Sequence, residues 1–564
     1  MASQDPALRA AAPESAVPRP ETEKGQLQDC TPQTISASEG EDGAGPSDDE
    51  LTTLRRVADR VSIAIYLVGA AEVAERFAFR CLTGPLQNYV EHPYNGGRYS
   101  ETGNRPGALG KGQAAATAIG FIFETWCFLT PLFGAIIADS WLGRFKTIFG
   151  GAIVSACGFI ILFATSLPAS LVAGAGLPGL IVALFVIGLG TGGIKSNVGP
   201  LIADQYSGKS RRLKTLKSGE RVILDPDITI QSIFSTYYWL INIGSSSMLL
   251  ATWIELKVGF WATFLIALSF YVAALIVLVL GRNKYVMVPP QGSDIPRAFQ
   301  AVWIGMKHWD MDKAKPSYLA QHGHSPVPWT DRFVDEIKIA LVACRVFAFL
   351  PVFWVCIGQT SGNTISLAAR TNTYGLPNDF MGGFNPVAII IMIPVLDHII
   401  YPTLRRFGIH FRPVTRITFG FAALAGAVAF AAGTQAMVYK RPNKEVSFLW
   451  VLPIFILSAM SEVFALVSAV EFAYTKAPST MKSFVSALNL LTGSIGALIG
   501  FALSPTSTYT KVLVQFVVLA AIMGLLTPIF YLLFRKYNKE EERMNQLERR
   551  AREEPEAPAG ASVA

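Results

Sequence analysis

The sequence predicts an all-α integral membrane protein with 12 transmembrane helices in two six-helix bundles and both termini cytosolic. Three observations lead there. Of 564 residues, 51% are hydrophobic and only 16% charged, against about 25% charged in ordinary soluble domains. The charges are missing in blocks: Thr147–Ile194 holds no Asp, Glu, Lys or Arg over 48 residues, and Val258–Gly281, Ile417–Tyr439, Ser483–Thr510 and Val512–Phe534 repeat the pattern. About 20 apolar residues cross a bilayer as a helix, so the longest block is two spans joined at Leu167–Gly179. Lys and Arg cluster in alternate connections. This composition argues against a soluble enzyme, a disulfide-stapled secreted domain and a nucleic-acid binder.

Taken in order, residues 1–54 form an acidic tail. Its first 50 residues carry 11 Asp/Glu against 3 Lys/Arg amid Pro, Ser, Gly and Ala, a composition expected to stay disordered. No apolar core follows Met1, so the first transmembrane helix is expected to direct insertion. Spans are expected at 61–90, 112–138, 146–167, 178–203, 230–255 and 258–281, making an N-terminal six-helix bundle over 55–281. A cytosolic central loop follows at 282–337. Spans at 338–369, 384–405, 414–437, 447–474, 482–505 and 511–534 make the C-terminal bundle over 338–536, and 537–564 form a cytosolic tail whose stretch 536–553 reads as a solvated helix.

Orientation follows from Lys and Arg in short loops. Basic residues precede span 1 (Arg55, Arg56, Arg60), separate spans 4 and 5 (six between Gly208 and Arg221) and follow span 12 (Arg535, Lys536), whereas the 7–8 loop Thr371–Gly383 has none. The 9–10 loop, with Lys440, Arg441 and Lys444, is an exception. Of the six cysteines, five lie in or beside apolar segments without metal-ligand spacing and read as small apolar fillers.

Ionisable residues at bilayer depth cost roughly 2.5–3.5 kcal/mol each on insertion scales, so they mark function by default. Span 1 carries Glu72, Glu75, Arg76 and Arg80; residues 72, 76 and 80 share one helix face, with the favourable Glu-then-Arg order at i,i+4. Two carboxylates beside one guanidinium leave room for a proton to come and go; a structural ion pair between helices is the alternative. Lys195 closes the glycine-rich end of span 4 and either faces a cavity or snorkels to the interface. Span 5 offers Tyr237, Tyr238 and Asn242. Span 10 offers Glu462, with Glu471 nearer the cytosolic end. After span 2, Gly134 permits close helix approach, and Asp139 with Arg144 is expected to form a cytosolic charge clasp.

Two six-span halves around a long central loop describe the major facilitator fold, in which the halves rock about a midplane site. The motifs then resemble the proton-dependent oligopeptide transporter family, fungal branch, over about residues 52–536. The marks are Glu72-x-x-Glu75-Arg76-Phe77, Gly190-Thr-Gly-Gly-Ile-Lys195 with Ala203-Asp204-Gln205, and Tyr237-Tyr238-Trp239-x-Ile-Asn242-x-Gly244-Ser245. Leu216–Pro226, Asn385-Pro386 and Ala477–Lys482 look like the fungal branch. The resemblance implies a proton-coupling cluster of Glu72, Glu75, Arg76 and Lys195. It implies a peptide site in which Arg76, Lys195 and Asn242 face the carboxylate, and Asn385 and Glu462 come from the second half, Glu462 toward the α-amino group. Tyr238 belongs to that pocket.

The chain departs from the family pattern at Arg80, at Phe128 where a tyrosine is common, and at Asn489 where an aromatic is common in bacterial members. These three positions are assigned to the substrate pocket, and Arg80 is expected to be neutralised by Glu124. The expected function is a proton-coupled importer of di- and tripeptides working by alternating access. Alternatives are a carrier of the same fold for an anion or modified amino acid, and a nutrient receptor that binds without transporting. No enzyme activity, catalytic group, metal or cofactor is expected; the proton is the coupling ion. The expected partners are peptide, proton and lipid bilayer, with the chain acting as a monomer in the plasma membrane or, alternatively, the vacuolar membrane.

Overall fold

The computed structural model describes residues 54–59, 61–94, 106–206, 208, 211–215, 219–290, 292–322, 326–400, 403, 407, 412–441, 445–476 and 481–553. Most of the acidic tail, and the basic 8–9 loop with His410, lie outside the described residues. Packing divides the chain into two units. One combines residues up to Arg55 with Arg212–Ile223; its described part holds the paired strands Arg212–Thr215 and Arg221–Leu224 and an Arg55–Glu220 ion pair of 3.6 Å. The other, Arg56–Arg211 with Leu224–Ala564, holds all the helices described below.

The principal helices are α1 (Ile63–Thr83), α2 (Gln113–Ile137), α3 (Arg144–Ser166), α4 (Gly176–Lys195), α5 (Pro226–Ser245), α6 (Phe260–Gly281), α7 (Leu350–Ala368), α8 (Phe384–Val395), α9 (Pro413–Lys440), α10 (Leu452–Glu462), α11 (Lys482–Leu503) and α12 (Val512–Glu553). Among the described residues, nine helical stretches are long and apolar enough to cross a membrane, and a shorter apolar one covers Phe380–Val395. The segments expected as spans 1, 5 and 8 fall short of that measure for visible reasons. Span 1 carries four charges and breaks at Gly84-Pro85, where the proline ring sets φ and a short helix Leu86–Glu91 restarts. Span 5 is interrupted at Ser246 before Ser247–Lys257. In span 8, α8 gives way to a π-turn at Leu396–Ile400.

Two large hydrophobic cores form, one from residues 64–285 and one from residues 298–534. Glycines decide how closely the N-terminal helices approach. A Cβ on Gly134 of α2 would stand 2.1 Å from the Gly192 carbonyl of α4, and one on Gly190 would stand 2.2 Å from Ser155 of α3. Across the halves, α2 packs along α11 and α5 against α8.

The stretch expected as a plain loop, 282–337, is substantially helical. Ile295–Lys307 is amphipathic: Ile295, Ala298, Ala301 and Gly305 are buried, whereas Trp303 and Met306 are exposed. Ile295 clusters with Leu132 of α2 and Ala487 of α11, so this helix rests on both halves. The segment expected as span 7 begins earlier than 338, as a helix over Asp331–Ala343, because the Thr330 side chain caps it by accepting from the Phe333 N–H at 3.3 Å. At the far end α12 runs unbroken through the expected boundary at 536 to Glu553. Among the described residues the cysteines are free; Cys81, Cys127, Cys344 and Cys356 are buried and Cys157 exposed.

Candidate functional site

Helical periodicity alone places Glu72 and Arg76 one turn apart on α1, and packing then closes a pocket over them. Gly244 of α5 makes this possible: a Cβ there would lie 2.6 Å from the Val73 carbonyl and 2.9 Å from the Arg76 Cβ. The Arg76 Nε lies 2.8 Å from Glu72 Oε1 and 3.0 Å from Glu75 Oε2. Tyr237 of α5 donates to Glu72 Oε1, and Tyr271 of α6 to Glu75 Oε1, each at 3.3 Å. Both carboxylates are almost wholly buried, 2% and 3% exposed. One guanidinium therefore faces two acids in a dry place.

Among the described residues Glu72 Oε2 has no hydrogen-bond partner, and a cavity of about 20 Å³ adjoins the two acids, walled by Val68, Ile148, Ile194 and Leu278. That volume accommodates a single water. The cluster thus has spare acceptor capacity and room for a proton carrier.

Lys195, at the end of α4, does not snorkel outward. It is half-buried, with its ammonium 4.1 Å above the centre of the Phe128 ring of α2, a cation–π contact. The charges of Glu124, Glu75 and Arg76 act on it. Phe128 itself sits where three helices meet, packed on Trp354 of α7 at 5.0 Å and admitted by Gly493 of α11, where a Cβ would lie 2.9 Å from the ring.

From the second half, the Asn385 amide donates to Glu462 Oε1 at 2.8 Å, and α10 passes into a π-turn, Val463–Val467, directly after Glu462. Tyr238 of α5 is half-buried and within electrostatic reach of Glu462. Asn489 of α11 carries a buried side-chain oxygen with no hydrogen-bond partner among the described residues. Arg80 is exposed, yet the carboxylates acting on it come from both halves, Glu462 most strongly, then Glu124 and Glu75. Open space therefore lies between the halves at this depth.

Two expectations are corrected. Among the described residues no ion pair within 4 Å joins Arg80 to Glu124, although the Glu124 charge acts on Arg80 after that of Glu462. Asn242 is 6% exposed and donates one of its two amide N–H groups to the Tyr238 carbonyl at 2.9 Å on its own helix. The charge clasp joins Arg144 to Asp204 at 2.5 Å, not to Asp139. A π-turn over Ala138–Leu142 and a left-handed Gly143 (φ +79°) reorient the chain between Asp139 and Arg144, while α4 and its continuation Val198–Asp204 deliver the partner carboxylate.

Sequence reasoning assigned no role to Tyr271 and Asp204. A lone tyrosine in the charge-free run 258–281 was the available signal for the first. It also passed over a polar seam between the halves: Gln87, Asn88 and Glu91 after Pro85, Gln113, and in the second half Gln359, Asn363, Ser366 and Asn378. Gln113 donates to Asn363 at 3.0 Å, Ser366 to Glu91 at 2.5 Å, and Asn88 and Asn378 exchange bonds of 3.0 and 2.8 Å.

The family described as the POT family matches residues 145–520. The chain is 42% identical over 535 residues to peptide transporter PTR_B of Candidozyma auris, covering 92% of this chain and 90% of that protein. It is 38% identical over 523 residues to peptide transporter PTR2 of Saccharomyces cerevisiae, covering 90% and 85%. Among solved structures, the POT family transporter PepTSo superposes with a TM-score of 0.67 at 20% identity, over 85% of this chain and 99% of that one; the fold is the major facilitator fold.

Proposed function

The chain belongs to the POT family, and from that premise we propose that it is a proton-coupled importer of di- and tripeptides working by alternating access. Its fungal relatives named as peptide transporters support the substrate class. The observation that carries the reading within this chain is the division of charge: Arg76 and Lys195 stand in one half, and Glu462, held by Asn385, stands in the other. A small peptide is a zwitterion whose two ends lie a fixed distance apart. A gap with cations on one wall and a carboxylate on the other selects that pattern while leaving side chains free to vary. It also links occupancy to the approach of the halves, since a bound peptide bridges them.

The Glu72–Glu75–Arg76 cluster supplies the coupling. With both acids ionised, Arg76 is fully engaged; a proton delivered to one acid releases part of its hold, so the guanidinium becomes available to a carboxylate ligand. One charge crossing 100 mV is worth ~2.3 kcal/mol, about fiftyfold in accumulation, and each pH unit adds about tenfold. A plasma membrane facing an acidic exterior supplies both, and a single chain carries the complete set of residues.

A second reading, a carrier for anionic solutes, is favoured by one observation: the exposed Arg80 forms no close ion pair among the described residues. The test is uptake in cells lacking peptide transport. At external pH 5 the protein should accumulate labelled dipeptide, and a protonophore should abolish the accumulation. Competition only by non-peptide anions selects the second reading, and binding without accumulation selects a receptor.

A further inference from the structure

A second pair of acids lies far from the midplane cluster, in the polar seam on the face that the loop charges assign to the outside. Glu255 belongs to the helix Ser247–Lys257 of the first half, and Asp379 to the loop before α8 in the second. They are 3% and 0% exposed and lie within hydrogen-bonding reach of each other. The amide of Asn88 donates to Glu255 Oε1 at 3.2 Å and to Asn378 at 3.0 Å. Among the described residues Glu255 Oε2 and both oxygens of Asp379 lack a well-aligned donor, and the groups that do reach Asp379, its own backbone N–H and the Asn88 amide, are neutral.

Three acceptor atoms facing one another in a water-free site are short of a hydrogen. Leaving such groups unsatisfied costs about 1–3 kcal/mol each, more when charged, and two unpaired buried carboxylates cannot both stay ionised. The neighbouring charges are committed elsewhere. Lys257 reaches over the Trp253 ring at 5.9 Å, Arg370 over the Tyr509 ring at 4.0 Å, and Glu91 accepts from Gln87 and Ser366 at 3.0 and 2.5 Å.

We propose that Glu255 and Asp379 form a second proton-binding site, in which closure of the outer seam traps one proton shared between the two carboxyl groups. Opening the seam parts the two halves and returns both acids to water, where each ionises. Burial pushes the Asp379 carboxyl above its ordinary value. The closed seam binds the extra proton, so it is favoured at acid pH and loses that advantage as pH rises from the ordinary carboxylate range through that raised value. The site goes beyond peptide transport and is tested without peptide.

The experiment uses the full-length protein in lipid nanodiscs, with Cys30 and Cys157 replaced by serine and spin labels attached after Val172→Cys and Tyr374→Cys. Pulsed dipolar spectroscopy between pH 4.5 and 8 reads the outer closed-to-open ratio. The wild-type ratio should fall about tenfold per pH unit for this one linked proton. Asp379→Asn places a permanent N–H where the proton sat, so its profile should be shallower by that tenfold per unit and remain closed at pH 8; Glu255→Gln should do the same. Superimposable profiles for wild type and Asp379→Asn overturn the proposal. So does a wild-type ratio that does not change over this range, an outcome that needs no variant to fold. Either result leaves the uptake test of peptide transport untouched.

Discussion

The midplane cluster and the outer amide seam both join polar groups in a largely apolar protein, but on opposite principles. In the cluster, one guanidinium serves two carboxylates, a lysine rests on an aromatic ring, and among the described residues one oxygen each of Glu72 and Asn489 has no hydrogen-bond partner. In the seam, neutral amides and hydroxyls answer one another. Asn363 donates to Gln359 at 2.9 Å, Gln359 to the Gly500 carbonyl at 3.0 Å, and Ser507 to Gln359 at 3.1 Å. Neutral pairs exchange readily for water, since each is worth a net ~0.5–1.5 kcal/mol, and so suit a surface that opens and closes. Charges that cannot reach water stay poised for a ligand. The cluster sets two acids against one cation, whereas the seam is mostly neutral, with the Glu255–Asp379 pair as its exception.

The comparison can be broken at its strongest point first. Arg76→Gln leaves two buried acids without their cation, a loss of about 3–5 kcal/mol; uptake of labelled dipeptide should fall more than a hundredfold and thermal stability in detergent should drop. Wild-type uptake would show the cluster to be ornamental. Next, Glu462→Gln removes the carboxylate that Asn385 holds. A hydrogen bond to a charged group is worth about 1.5–3 kcal/mol, so KM for dipeptide should rise roughly ten- to hundredfold.

Gly134→Ala tests packing rather than charge. With 2.1 Å to the Gly192 carbonyl, the added methyl should force α2 from α4 at about 1–3 kcal/mol, seen as a lowered Tm with the ligand preference intact. At the seam, Ser366→Ala deletes the donor to Glu91 and should shift the outer closed-to-open ratio by about two- to tenfold. The smallest effect belongs to the exposed triad of Asp312, Lys315 and Lys338. Hydrogen bonds from Lys338 and then Lys315 hold the Asp312 carboxyl below its ordinary value, so its contribution is present at neutral pH and fades as pH falls through that lowered value. Solvent screens it, and Asp312→Asn should leave Tm unchanged at pH 7.

Much of this was legible in the linear chain. The charge-free blocks and the 72–76 stripe depend on neighbours within a few residues, which hydropathy and helical period report directly. The Lys195 alternative was not decidable that way, because an aromatic ring from another helix settles it. Nor was the clasp: Asp139 is nearer to Arg144 in sequence, but a π-turn and Gly143 change the direction in which the chain leaves α2. The helix Ile295–Lys307 was overlooked because the search there was for membrane length, and 13 residues are too few.

The sequence by itself determined that the chain is a membrane protein, how its apolar segments are spaced, and which ionisable side chains lie among them; those facts rest on composition and on contacts within one helical turn. Only the tertiary structure decided that Arg76 holds two acids, that Lys195 turns inward over Phe128, that Arg144 chooses Asp204, and that Glu255 meets Asp379. The last three of those join different helices or residues separated by a turn whose geometry local propensity does not set, and even Arg76 and its acids, on one helix, are buried only by the helices packed over them. In a protein whose lipid-facing and interior residues are equally apolar, polarity tells which side chains need a partner but not which partner they find.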